Sequence, residues 1–171
     1  LTKSDDGKPI HFIGFAPIKG TSGVRVNMAA TKGTSTADAV DEVRMAAEIN
    51  LFSPALTIIG YGSNDFSRQM PLTTFRSSLE TLVDRALTFG DVLLTSIGVR
   101  TDENTPAIPQ SAYRAVIKDV AATKGCAYFD IADRWGGGAA ASANGLLSGT
   151  VHPNAGGHYD IGTSTMAIID A

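Results

Sequence analysis

The chain has little of what marks the more specialised protein classes. It carries one cysteine, Cys126, in 171 residues. An internal disulfide is therefore excluded, and in the apolar run "KGCAYFDIA" the thiol reads as a buried structural group. Charged residues make up 18% of the sequence, with 14 Lys and Arg against 17 Asp and Glu. The cations are scattered singly and form no basic stripe, so no nucleic-acid partner is expected. No apolar run approaches membrane-spanning length, and no membrane partner is expected. The opening "LTKSDDGKPI" lacks the charged-then-apolar layout of a signal peptide. His, Cys and carboxylates show no metal-ligand spacing, so neither a metal nor an organic cofactor is implied.

What is present is an ordinary globular composition, with 43% apolar residues, 18 of the 171 being Gly. That is enough for one domain spanning residues 1–171 with a substantial core. Short β-branched runs alternate with helical periodicity. "VRVNMA" (24–29) reads as a strand, followed by a helix over 36–52 with Val40, Val43, Ala47 and Leu51 on one stripe and Ser35 or Thr36 as its cap. "ALTIIGYG" (55–62) is the most apolar strand, and the helix after it, from about Leu72 to Thr88, has Phe75, Leu79, Leu82, Val83 and Ala86 on its inner stripe. "DVLLTSIGV" (91–99) and "CAYFDIA" (126–132) are further strands separated by a helix near Ser111 to Lys124. Residues 133–149 read as a loop, and a last helix begins near Pro153 with Ala155, Tyr159, Gly162, Met166 and Ile169 at helical spacing.

Strands alternating with helices of this length imply right-handed crossovers and a parallel sheet covered on both faces. Sites in such sheets form at the carboxyl ends of the strands. Three turns there hold the chemistry. Gly33, between a strand and a helix, can present its backbone N–H to an oxyanion, or it can be a glycine that the turn requires. Asn64 in "GYGSNDF" can donate a second hydrogen bond from its amide, or cap the next helix. Asp65 beside it reads as a loop or helix stabiliser. His152 precedes Pro153 in an N-cap-like position suited to a general base. His11 and His158 read as bland.

"NMAATKGTSTAD", "TIIGYGSNDF" and "VHPNAGGH", in this order, resemble the second, third and fifth sequence blocks of the SGNH hydrolases, the GDSL-like lipase/esterase family. The resemblance runs from about Arg25 to the end. It implies an α/β fold of flavodoxin-like type, a three-layer α/β/α sandwich around a five-stranded parallel sheet. It also implies serine esterase chemistry, with Gly33 and Asn64 completing an oxyanion hole and His152 activating a serine. The expected substrate is a small ester, such as an O-acetylated carbohydrate. Arg134 and Trp135 in the 133–147 segment would then either stack on a sugar or pack on the sheet edge.

Two departures stand out. The family's first block, Gly-Asp-Ser, does not occur in the 171 residues. Either Gly14, Phe15 and Ala16 in "HFIGFA" are its degenerate form, making an inactive carbohydrate- or partner-binding module, or the serine stands immediately before Leu1. The Leu1-Thr2 opening resembles the continuation of that block, and the 32 residues from Leu1 to Lys32 leave room for a crossover. On this expectation the first strand is missing from the chain as given, and an upstream segment or another chain completes the sheet. The second departure is Gly149, which stands where the family carries an Asp three residues before its histidine. A backbone carbonyl in "LLSGTV" would then orient His152, unless Asp130, Asp133 or another carboxylate reaches it.

Overall fold

The computed structural model describes residues 25–104 and 106–169. Three parallel strands, β1 (Leu56–Ile59), β2 (Asp91–Thr95) and β3 (Ala127–Phe129), pair in chain order. Ile59 lies opposite Leu94, and Thr95 opposite Phe129. Because side chains alternate along a strand, β2 divides the core in two. Val92 and Leu94 join one buried cluster, and Leu93 joins the other.

The first cluster is filled by two long crossover helices, α4 (Leu72–Leu87) and α5 (Gln110–Lys124). The α4 stripe Phe75, Leu79, Leu82, Val83 and Ala86 is entirely buried, as its spacing implies. From α5, Tyr113, Val116, Ile117, Val120 and Ala121 meet it, with Tyr113 edge-on to Phe66 and Phe75 at centroid distances of 5.9 and 5.2 Å. On the other face, Leu93, Val99 and Phe129 pack with Ile131, Ala132, Trp135 and Ala141, and Ile161 lies against them. The result is the α/β/α layering expected, with three parallel strands among the described residues.

Several elements differ from the sequence expectation. Residues 25–29 of "VRVNMA" form no strand, and Val26 and Met28 are 85% and 88% exposed. β-branched composition supplies no ladder hydrogen bonds by itself, and among the described residues these five find no neighbouring strand. Val24, like His11 and the stretch holding Gly14, Phe15 and Ala16, lies outside the described residues, as do Leu1 and Thr2.

The single helix over 36–52 is two, α1 (Thr36–Asp41) and α2 (Val43–Phe52), divided where Glu42 turns extended at φ −77°, ψ 102°. Ala47 and Leu51 of the expected stripe face solvent, whereas Ile49 packs on the core. The Val43 side chain lies outside the described part.

The segment 133–149 is not a loop. It holds the end of α6 (Ile131–Trp135), α7 (Gly137–Ala143) and the start of a short antiparallel pair, β4 (Leu147–Ser148) with β5 (His152–Pro153). Gly136 and Gly137, at φ 72° and 86°, turn the chain between the two helices. A Cβ on Gly138 would run into the backbone of Arg100, so α7 can approach the loop after β2 closely.

The last helix, α8 (Ala155–Ile169), starts two residues later than expected. Asn154 caps it by accepting from the Gly157 N–H at 3.0 Å. Its apolar stripe faces outward, with Tyr159 75% exposed, while the inward stripe is Gly157, Ile161, Ser164 and Thr165. Among the described residues no helix is long and apolar enough to cross a membrane.

Candidate active site

The turn after residue 30 is built around Gly33, whose φ of 77° lies in the left-handed region. Just past it, Ser35 opens α1 with a capping box: its backbone N–H and its hydroxyl both donate to Asp38 Oδ2 at 2.8 Å. These bonds, together with the Arg68 guanidinium, hold the Asp38 carboxyl down at about 2.

Asn64 stands on α3 (Ser63–Ser67), the short helix that follows β1. Its start depends on Gly62, whose φ is 122° and whose missing Cβ leaves space for the Ile97 side chain. The Asn64 Nδ2 donates to the Thr34 carbonyl at 2.9 Å. An amide nitrogen has two protons, so a second donor is available for another acceptor. Gly33 and Asn64 are thus brought together. Asp65 is fully buried and accepts from the Thr36 backbone N–H at 3.0 Å and hydroxyl at 2.6 Å, which ties α3 to α1 in the stabilising role its sequence context suggests.

His152 is not at a helix cap. It sits on β5, opposite Ser148, with its side chain exposed, because Asn154 takes the capping position. The hairpin is tied to the carboxyl side of β2, where the Thr101 N–H donates to the Thr150 carbonyl at 3.1 Å. Arg100, next in line, bonds Ser67 Oγ of α3 at 2.7 Å, pairs with Asp102 and lies 5.2 Å over the Phe66 ring. A chain of contacts therefore links the His152 hairpin to the helix bearing Asn64, although His152 and Asn64 share no hydrogen bond.

Among the described residues the His152 ring has no hydrogen-bonded carboxylate. Both oxygens of Asp130 are engaged elsewhere: Oδ1 accepts from the Ala132 and Asp133 N–H groups at 3.0 and 3.1 Å, and Oδ2 from the Tyr128 hydroxyl at 2.9 Å. Burial pushes the Asp130 carboxyl up, and those hydrogen bonds outweigh it and lower it. Gly149 occupies the turn between β4 and β5 at φ 70°.

Trp135 is buried, and its Nε1 donates to Asp160 at 2.8 Å, while Arg134 grips the same carboxylate at 2.7 and 2.6 Å. The pair anchors α8, and the sugar-stacking alternative is ruled out because the indole faces the core. Arg68 and Arg100 carry no motif and were not legible in the sequence as members of the site. Among the described residues no cluster of three His, Cys or carboxylate groups is arranged to hold a metal.

Residues 17–159 match the GDSL-like lipase/acylhydrolase family, and the chain belongs to it. Solved structures repeat the fold. A lipase/acylhydrolase from Enterococcus faecalis superposes with a TM-score of 0.67 at 22% identity, over 80% of this chain and 71% of that one. An acetyl xylan esterase, AlAXEase, gives 0.68 at 15% identity, over 82% and 79%. TesA gives 0.57 at 25% identity over 71% of this chain, which spans 64% of the TesA length, less than two thirds. No protein of curated function matches the chain.

Proposed function

We propose that this chain is a serine-type carboxylic ester hydrolase acting on small acyl esters, with acetyl groups on carbohydrates as the substrate class. The observation that carries the reading is the meeting of Asn64 with the Gly33 turn through the Thr34 carbonyl. A backbone N–H and a side-chain amide from two sheet-edge turns are the donor pair that a tetrahedral oxyanion needs. The similarity to an acetyl xylan esterase supports the substrate class.

In this mechanism a serine directly before Leu1 attacks the ester carbonyl carbon while His152 takes its proton. The Gly33 N–H and the Asn64 amide stabilise the negative oxygen. His152 then returns the proton to the leaving alcohol, and water, activated by the same histidine, hydrolyses the acyl-enzyme and regenerates the serine. With Gly149 standing where the family carries its acid, the catalytic unit is a Ser–His dyad. Among the described residues the outer edge of β1 has no partner, which leaves a place for a preceding strand to pair.

The test uses the chain with its upstream residues, p-nitrophenyl acetate and a fluorophosphonate label. Hydrolysis and labelling are expected, with hydrolysis lost in His152→Ala. A folded protein that neither labels nor hydrolyses would refute the esterase and favour a binding module.

A further inference from the structure

Arg68 sits at the carboxyl end of α3, four residues after Asn64, and reaches back to the Gly33 turn. Its Nη2 donates to the Gly33 carbonyl at 2.7 Å. Its Nη1 donates to Asp38 Oδ2 at 2.6 Å and to Ser35 Oγ at 3.3 Å. One planar guanidinium thus fixes the turn, the capping residue and the first turn of α1 together.

The two successive carbonyls of Gly33 and Thr34 are held from a single short helix, the first by Arg68 and the second by Asn64. Glycine has the largest backbone freedom of any residue, and Gly33 is exposed, with nothing within 4 Å of where a Cβ would lie. Among the described residues, nothing packs on the side where its side chain would lie. The charge-assisted bond to its carbonyl supplies the restraint that packing does not.

We propose that Arg68 is a positioning residue for ester hydrolysis: by clamping the Gly33 carbonyl to the helix that carries Asn64, it sets the spacing between the two oxyanion donors. The inference rests on the esterase reading above and adds a residue to it. Arg68 does not touch the reacting atoms in this role. It lowers the reorganisation needed when charge develops, so it acts on the transition state and leaves ground-state binding alone.

The experiment compares Arg68→Met, Arg68→Lys and Asn64→Ala with the parent, each carrying the upstream residues, on p-nitrophenyl acetate, with kcat and KM separated and folding checked by circular dichroism. For Arg68→Met, kcat is expected to fall about tenfold to a hundredfold while KM stays within about twofold, less than deletion of a whole donor costs. Lysine keeps the charge but lacks the planar fork by which Arg68 spans Asp38 and the Gly33 carbonyl. Arg68→Lys should therefore be folded and intermediate in kcat, and it carries the test if the methionine variant does not fold.

Parental kcat in a folded Arg68→Lys, or a loss confined to KM, overturns the inference. A parent that responds to Asn64→Ala and not to either Arg68 variant overturns the inference alone. A parent without hydrolysis overturns the esterase reading and this inference with it.

Discussion

Asn64 and Thr34, 30 residues apart in the chain, are joined by one hydrogen bond of 2.9 Å from side-chain amide to backbone carbonyl. The bond has two consequences that separate experimentally. Removing the amide leaves the partly buried Thr34 carbonyl without this donor, which costs about 1–3 kcal/mol. On the proposed mechanism it also deletes an oxyanion donor, which costs about a hundredfold to a thousandfold in kcat. Asn64→Ala should show both, the first in urea denaturation and the second in ester hydrolysis. A stability loss with unchanged kcat would reduce Asn64 to a structural residue.

Gly33 and Gly62 both have positive φ, but their surroundings differ. Gly33→Ala meets no atom within 4 Å and should cost about 1–2 kcal/mol from backbone strain. In Gly62→Ala the new methyl collides with the Ile97 side chain, and overpacking adds to the strain for a total of about 2–5 kcal/mol. Denaturation midpoints of the two variants check the order. Equal losses would show that the space at Gly62 is not used.

Gly149→Asp restores the family's acid at the turn beside His152. The position has φ 70°, which Asp tolerates better than most residues, and nothing lies within 4 Å of the new Cβ. The expected outcome is a folded protein, destabilised by about 1–2 kcal/mol, whose kcat rises by part of the roughly 10⁴-fold that a triad acid contributes. No gain in kcat from the folded variant would mean that the hairpin holds His152 in an orientation that the new carboxylate does not reach.

The Arg134 and Trp135 hydrogen bonds hold the Asp160 carboxyl down at about 2. Its folded pKa is therefore below the unfolded value of about 3.9. The associated stability is fully present above about pH 4 and is lost as pH falls toward 2. Trp135 is the one tryptophan of the sequence, so its fluorescence reports on this clamp directly. Asp160→Asn should flatten the acid limb of a stability–pH curve between about pH 4 and 2. It should leave the region above pH 5 without a slope of its own. An unchanged acid limb would remove Asp160 from the linkage.

The middle of the chain was legible in the sequence, and its two flanks less so. The α4 stripe from Phe75 to Ala86 is buried because the helix crosses between two strands that both exist. In α8 the same periodicity over Tyr159, Met166 and Ile169 points to solvent, since the described part of the sheet meets the helix on its Gly157 and Ile161 side. Periodicity states which residues share a face. It does not state what lies opposite that face. For the same reason "VRVNMA" reads as a strand while its described residues, 25–29, form none: a ladder needs a neighbour, which no local pattern supplies.

Gly33 and Asn64 could be singled out as candidates because their blocks, taken in order, resemble those of the family. Arg68 and Arg100 could not. Their meaning depends on contacts 33 to 35 residues away, to the Gly33 carbonyl in one case and to Ser67 in the other. Surface arginines have no sequence signature for such reach.

The pairing of the strands in chain order, β1 to β2 to β3, also bears on how the molecule assembles. Each strand finds its neighbour after a single crossover, so residues from β1 to α6 can close their loops in succession at modest entropic cost. This segment should form first and exchange its amide protons last, with β2 slowest of all. The Gly33 turn and the His152 hairpin belong to the segments on either side of it. Ligand contacts made across both flanks would slow amide exchange there first, and in the central strands much less.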